Sequence, residues 1–247
     1  MRIEKEIIKI VRLHIPEAVL AAAPTAQLTY RGGPLITDVK IFTLFWGSEW
    51  TKTGNQQTAT QLNEFFTYLV TSPLMDQLAE YGVTQFPIGH GSFLGTLTVS
   101  GPDPADSIAD TDVQQFIQQQ ISSEAVPSPE KDTIYFVFLP SGVTVALGGS
   151  SSCQDFCGYH DAIKGDIYYA VMPYPSCNGC QGGLSTLNAL TATSSHEFSE
   201  AITDPVPGQG WYDDNNGEIG DICAWQFKQL GKYTVQLEWS NKAGRCM

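Results

Sequence analysis

The sequence predicts an α+β fold, in which helices pack on a mixed β-sheet and a loop-rich C-terminal part is stabilised by disulfides. Three features support this prediction. Runs of β-branched and aromatic residues between turn residues indicate buried strands. Apolar residues at helical spacing indicate several helices. All six cysteines lie within residues 153–246, which predicts local cross-links there.

The predicted elements follow one another as strand, helices, strand, helix, two strands and one long helix. Strands are expected at 39–46, 93–99, 134–139 and 167–172. Helices are expected at 57–70, at 110–121, and at 184–202, where Asp204-Pro205 ends the last one. A further helix is expected to begin with Ser72 as its N-cap and Pro73 in its first turn. Residues 148–163, rich in Gly and Ser, are predicted to be a loop. A short strand is expected at 233–238. This order suits a mixed sheet covered by helices.

Residues 25–247 are predicted to form a single domain, with a subdomain break near 203–210. Residues 1–24 are interpreted as an N-terminal arm or propeptide-like segment. Charged residues interrupt the apolar ones there, whereas a signal peptide carries an uninterrupted apolar block. No apolar run reaches the ~20 residues that cross a bilayer. We therefore expect no membrane span.

The charge balance limits the classes of partner. Acidic residues outnumber basic residues 26 to 13, for a formal net charge of −13. Nucleic acid is disfavoured as a partner, because neutralising phosphates requires clustered Lys and Arg. The surplus carboxylates suit cation binding, an acidic habitat or solubility, and we expect a monomer.

The cysteine spacing allows two interpretations. An even number of cysteines with short-range pairs favours disulfides and an oxidising compartment, and hence a secreted protein. Cys153-x3-Cys157 and Cys177-x2-Cys180 would also suit a four-cysteine zinc ribbon. We favour disulfides, because a ribbon leaves Cys223 and Cys246 unexplained.

The segment His196-Glu197-Phe198-Ser199-Glu200 carries the pattern with the clearest chemistry. Residues four apart lie on one face of a helix, so His196 and Glu200 can hold one metal ion. Glu197 can then act as general base on water, as in His-Glu-x-x-His peptidases. The preceding residues 184–195 carry no charge, and no Lys or Arg accompanies the motif, which a solvated helix face would normally include. We predict a Zn²⁺ site with Glu197 as a catalytic residue.

A third ligand is expected from the carboxylates that follow the helix. Glu218 and Asp221 are the candidates, and the side chains of both would point to opposite faces if the segment is extended. One would then be a ligand, with Glu218 favoured, and the other could orient His196. Residues 213–217 are typical of a turn, although an additional Ca²⁺ loop is the alternative.

His160 is the second candidate catalytic residue. It could be a ligand, or it could donate a hydrogen bond to a transition-state oxygen. His90, between two glycines, could lie near the cleft. Serine catalysis is not supported, because no Gly-x-Ser-x-Gly motif is present.

A series of motifs between residues 28 and 225 is shared, in order, with one family. They are Tyr30-Arg31-Gly32-Gly33-Pro34-Leu35, Phe45-Trp46, Cys157-Gly158-Tyr159-His160, Cys177-x-x-Cys180, His196-Glu197-x-x-Glu200, Asp204-Pro205, Trp211-Tyr212 and Glu218-Ile219-Gly220-Asp221-Ile222-Cys223. On these residues the chain resembles the phosphate-induced/EXORDIUM-like proteins. The resemblance implies a secreted protein with a zincin-like fold. It matches His196, Glu197, Glu200, Glu218 and Asp221 position by position. Plant members of the family are associated with cell-wall growth signalling.

Two functions follow as hypotheses. The first is a secreted zinc-dependent endopeptidase that hydrolyses peptide bonds in a protein substrate. The second is a non-catalytic extracellular protein, stabilised by a metal, that binds a cell-wall component or a receptor.

Overall fold

A six-stranded mixed sheet lies at the centre of the computed structural model, which describes residues 10–14 and 26–247. In order across the sheet, its strands are β1 (Ile10–Arg12), β9 (Phe156–Ile163), β10 (Ile167–Met172), β6 (Thr133–Phe138), β3 (Lys40–Trp46) and β4 (Ser92–Val99). Strands β10, β6, β3 and β4 are parallel. Strand β9 is antiparallel to β10, and β1 is antiparallel to β9.

Strand β6 shows why the central strands are apolar throughout. All six of its residues are buried. Ile134 and Phe136 pack into the core on one face of the sheet, and Tyr135 and Val137 pack into the core on the other. A strand covered on both faces has no polar side, so its sequence is a continuous apolar run.

Helices cover both faces of the sheet. They are α1 (Thr53–Leu69), α2 (Pro73–Leu78), α3 (Asp110–Ser122), α4 (Asn178–Gln181) and α5 (Thr186–Thr203), with 3-10 turns at Ser48–Thr51, Ala79–Tyr81 and Asp221–Cys223. Helices α1, α2 and α5 pack on one face, and α3 packs on the other. The predicted cap of α2 is present, since the Ser72 side chain accepts a hydrogen bond from the backbone N–H of Leu74. No helix in the described part of the chain is long and apolar enough to cross a membrane.

Small sheets of two or three short strands form the periphery of the domain. The strands are β2 (Thr29–Tyr30) with β11 (Trp211–Tyr212), β5 (Ser107–Ala109) with β7 (Thr144–Leu147) and β8 (Ser150–Ser151), β12 (Phe227–Leu230) with β13 (Tyr233–Gln236), and β14 (Trp239–Ser240) with β15 (Arg245–Cys246). At the sheet edge opposite β1, the pairing of β4 shifts register beside Gly95, where φ is +139°. This bulge interrupts the regular ladder of the edge strand.

The cysteines form three disulfides, Cys153–Cys177, Cys157–Cys180 and Cys223–Cys246. The zinc-ribbon alternative is wrong, because all four cysteines of that pattern are disulfide-bonded. The first two cross-links join the beginning of β9 to the α4 segment.

The predicted loop at 148–163 is instead largely strand, because β9 occupies its second half. The positions of β9 that face α5 are Gly158 and His160 rather than apolar residues, so the run lacks the usual strand pattern. Pairing with β10 on one side and β1 on the other stabilises the strand despite its composition.

Part of the predicted N-terminal arm belongs to the sheet. Residues 10–12 pair with β9, and the backbone N–H of His14 donates to Gly179 O at 2.8 Å. Residues 1–9 and 15–24 of the predicted segment lie outside the described residues.

Candidate metal centre

Helix α5 carries the His196-to-Glu200 motif into the interior. The Ser185 side chain caps its first turn by accepting a hydrogen bond from the backbone N–H of Asn188. Every residue from 189 to 203 is buried. His196 Nε2 lies 2.9 Å from Glu200 Oε1, so the two side chains share one face of the helix. The two atoms are not aligned for a hydrogen bond.

His160 approaches the same face of α5 from strand β9. Its Nδ1 is 3.0 Å from Glu197 Oε2 and 3.6 Å from Glu200 Oε2. Its Nε2 is 3.2 Å from the backbone oxygen of Asp204 and 3.5 Å from Glu218 Oε1. The imidazole therefore lies between the helix and the segment that follows it.

Glu218 and Asp221 both reach the cluster. The segment is not extended, because Asp221 begins a 3-10 turn and the backbone N–H of Glu218 donates to Asp221 Oδ2 at 3.0 Å. The backbone N–H of Asp221 donates to Glu200 Oε1 at 3.1 Å. Only an extended backbone would direct one of these two side chains away from the site, and the backbone here is not extended.

Gln236 on β13 orients His196, a role that the sequence had suggested for Glu218 or Asp221. Gln236 Oε1 lies 3.0 Å from His196 Nδ1, and Gln236 Nε2 donates to Gly220 O at 2.9 Å. The second bond fixes which amide atom faces the ring, so Nδ1 carries the proton and Nε2 is left free as a potential ligand. A glutamine in a β-strand gives no sequence signal of this role.

Two sets of possible ligand atoms share Glu200. The first, here the His196 set, comprises His196, Glu200 and Asp221; the second, the His160 set, comprises His160, Glu200 and Glu218. Within each set the ligand atoms lie within 4.8 Å of one another. Imidazole nitrogen and carboxylate oxygen are ligands that Zn²⁺ accepts.

The cluster concentrates negative charge without a matching cation. His160, His196, Glu197, Glu200 and Glu218 are completely buried. Among the described residues, the ion pairs of these carboxylates are with the two histidines alone. Glu197 Oε1, Glu200 Oε2 and both carboxylate oxygens of Glu218 accept no hydrogen bond. Burying carboxylates in this way is costly unless they are paired or coordinate a metal.

The pKa shifts reflect the same crowding. Burial, and then the charge of Glu200, raise the pKa of both Glu218 and Asp221 well above the usual carboxyl range. Burial also raises the pKa of Glu197. Burial opposes protonation of His160, but its hydrogen bond to Glu197 and the nearby carboxylate charges outweigh this and raise its pKa to about 9. The metal-free cluster therefore retains protons that a cation would displace.

Two glycines allow the close packing around the motif. A Cβ atom at Gly220 would lie 2.8 Å from His196 Cγ. A Cβ atom at Gly158 would lie 2.7 Å from Thr193 Cγ2 and 3.3 Å from Glu197 Oε1. At both positions the backbone approaches helix α5 so closely that a residue with a Cβ atom would clash.

Asp204 and Glu238 are parts of the site region that sequence reasoning missed. Asp204, which was predicted to end the helix and to belong to a shared motif but was given no role in the site, accepts hydrogen bonds from the backbone N–H groups of residues 208, 209 and 210, and so turns the chain back towards the cluster. Glu238 is buried with neither carboxylate oxygen hydrogen-bonded, and burial raises its pKa well above the usual range. An isolated glutamate in the tail carries no pattern that would have identified it.

Other candidates lie elsewhere or have structural roles. His90 is exposed and contacts Asp76 at 2.9 Å. Residues 213–217 form the predicted turn, since Asp213 Oδ1 accepts from the backbone N–H groups of Asn215 and Asn216 and its Oδ2 accepts from Gln27. Both oxygens of Asp213 thus have backbone partners.

The geometry brings together the six residues selected from the sequence in one cluster, in which Asp221 is partly exposed and the others are buried: His160, His196, Glu197, Glu200, Glu218 and Asp221. Comparison of the chain with protein-family models and with curated protein sequences finds no match.

Proposed function

We propose that the chain is a secreted zinc-dependent metallopeptidase in which Glu197 is the general base. One observation carries the proposal. Four carboxylates, Glu197, Glu200, Glu218 and Asp221, converge with two histidines, and no Lys or Arg pairs with them among the described residues. Even two protonated histidines would leave negative charge uncompensated, which favours a bound divalent cation.

The His196 set supplies the ligands for the proposed ion. Its geometry matches the predicted helical pair of His196 and Glu200, with Asp221 as the third protein ligand. A bound Zn²⁺ would polarise the peptide carbonyl and lower the pKa of water towards ~7.

Glu197 is arranged for proton transfer. Its Oε2 faces His160 Nδ1 at 3.0 Å, whereas its Oε1 accepts no hydrogen bond. The free oxygen would take the proton from the attacking water and pass it to the leaving amine. His160 would hold Glu197 in position and offset part of its charge.

The wider architecture supports the same proposal. Helix α5 packs beneath a mixed sheet, and the antiparallel strand β9 faces its Glu197 turn, an arrangement compatible with a zincin-like fold and with the resemblance to EXORDIUM-like proteins. Three disulfides suit an oxidising extracellular compartment.

Access to the site involves the N-terminal arm. Val11 pairs with Gly158, and the Trp225 Nε1–H donates to Arg12 O at 2.9 Å. Segment 10–14 therefore covers the edge of the strand that carries His160. We propose that the arm acts as a propeptide, whose release opens this edge to an extended peptide substrate.

Burial of every member of the cluster except the partly exposed Asp221 favours a second candidate function, in which the ion is structural and the protein is a non-catalytic binding module. His196, Glu197 and Glu200 all have zero exposure, so a peptide bond reaches them only after a rearrangement. Structural metal sites are typically closed in this way.

One experiment separates the two functions. A site-specific protease sequence is inserted after Pro24, and the folded protein is assayed on an unfolded protein substrate before and after cleavage of the arm. Zinc content is measured in the same samples. The peptidase proposal predicts activity that appears on cleavage and is lost in Glu197→Gln, with zinc retained.

The matched control is Glu64→Gln, which removes an exposed carboxylate paired with Lys232. It should leave zinc content and cleavage unchanged. Bound zinc without cleavage by the processed wild type would support the structural ion, and absence of bound metal would contradict both functions.

A further inference from the structure

We propose that the centre holds two divalent cations, bridged by the carboxylate of Glu200. One ion occupies the His196 set and the other the His160 set. This inference rests on the proposed function in so far as both ions belong to the proposed peptidase site.

The two oxygens of Glu200 face different partners. Oε1 lies 2.9 Å from His196 Nε2 and accepts a hydrogen bond from the backbone N–H of Asp221. Oε2 is turned towards His160, 3.6 Å from its Nδ1, and accepts no hydrogen bond. A carboxylate whose oxygens point into two donor sets has the geometry of a bridging ligand.

Each set has the same composition. It contains one imidazole, one carboxylate of its own and the shared Glu200. Among the described residues, no set of ligand atoms within 4.8 Å of one another joins His160 to His196. No single set therefore lets one ion contact both histidines.

The His160 set contains ligand atoms with no other role. Glu218 is completely buried, and neither of its oxygens accepts a hydrogen bond. The neighbouring carboxyl of Asp204 repels the Glu218 carboxylate, and in the metal-free protein the two carboxyls share a proton that a cation would displace. A buried carboxylate that lies 3.5 Å from an imidazole, with only a second carboxyl beside it, indicates a missing cation rather than a packing residue.

The charge balance agrees with two ions. Glu197, Glu200, Glu218 and Asp221 carry four negative charges when ionised. One dication offsets half of this charge, whereas two dications offset all of it and leave both imidazoles neutral, as metal ligands must be. Two-metal centres in hydrolases place their ions roughly 3.5–4 Å apart, a separation that one bridging carboxylate can span.

Metal stoichiometry tests the inference. The protein is equilibrated with excess Zn²⁺, freed of unbound metal by gel filtration and analysed for zinc per chain. We expect two ions for the wild type, and one for either Glu218→Gln or Asp221→Asn. The matched control is Glu64→Gln, which neutralises an exposed carboxylate outside both sets and should retain two.

A measurement on the wild type alone guards against misfolded variants. Loading with Mn²⁺ in place of zinc should give the electron paramagnetic resonance signal of a spin-coupled pair. A stoichiometry of one, with an uncoupled Mn²⁺ signal, would overturn the two-ion centre. If such a one-ion protein still cleaves peptide and loses cleavage in Glu197→Gln, the proposed function stands without it.

Discussion

The substitution Gly220→Ala would place a methyl group where the His196 ring lies. The added Cβ would be 2.8 Å from His196 Cγ and 2.9 Å from both Cδ2 and Nδ1, so it meets the flat face of the imidazole across most of its width. Carbon atoms pack at roughly 3.5–4.0 Å, so either the ring or the backbone must move by about 1 Å. The ring is also held by Gln236 at 3.0 Å, and that bond would be strained or lost.

Two effects of known size follow. Overpacking a buried site costs about 1–3 kcal/mol, which for a chain of this length corresponds to a fall in melting temperature of roughly 2–12 °C. Misplacing a ligand through its supporting contacts lowers metal affinity by about 10–100-fold. We expect both effects in Gly220→Ala.

The assay compares zinc affinity, by competition with a chromophoric chelator, and thermal unfolding of the same preparations. Gly54→Ala is the control, since a Cβ at Gly54 in helix α1 has no atom within 4 Å. It should keep the zinc affinity and raise stability by about 0.5–1 kcal/mol. Wild-type zinc affinity in Gly220→Ala would refute the assignment of His196, in its present position, as a ligand.

Three further predictions concern support of the site and its charge. In the metal-free protein, raised carboxyl pKa values and a His160 pKa of about 9 mean that the folded chain binds more protons than the unfolded chain between about pH 4 and 9. Its stability should therefore fall as pH rises, and melts in chelator at pH 5 and pH 8 should show the higher midpoint at pH 5; a higher midpoint at pH 8 would contradict the assigned shifts. Gln236→Leu should lower zinc affinity about 10–100-fold, because His196 Nδ1 loses its hydrogen-bond partner. A zinc affinity equal to that of the wild type would show that Gln236 does not support the ligand. Joint replacement of Cys153 and Cys177 by Ala should cost less in urea unfolding than the ~3 kcal/mol expected for a lone cross-link of this loop length, because Cys157–Cys180 closes nearly the same loop, and a full loss would show that the two act independently.

The parts of the fold that local pattern controls could be predicted from the sequence. The buried strands at Lys40–Trp46 and Ile167–Met172 and the helices α1, α3 and α5 lie close to their expected ranges, because each buries an apolar face that determines its periodicity. Strand β9 could not be found in this way. Its helix-facing residues are Gly158 and His160, which suit the close approach of α5 and the contact with Glu197. They lack the apolar side chains by which a buried strand is recognised.

The site shows the same division. The His196 and Glu200 pair follows from helical geometry alone, and its spacing is visible in the sequence. The approach of both Glu218 and Asp221 depends on a 3-10 turn, and the role of Gln236 depends on a strand pairing late in the chain. Those contacts depend on tertiary structure, so no local sequence pattern predicts them.

The pairing of residues 10–12 with β9 has a consequence for the behaviour of a processed chain. At the opposite edge of the sheet, the bulge at Gly95 makes β4 a poor template for another strand. At the β9 edge, the only cover among the described residues is the arm itself. Its departure would expose a row of unpaired backbone donors and acceptors, which a second copy of the chain could bind as readily as a peptide. Substrate binding and self-association would then compete for one sheet edge. The net charge of −13 makes the copies repel one another at low ionic strength, and salt weakens this repulsion.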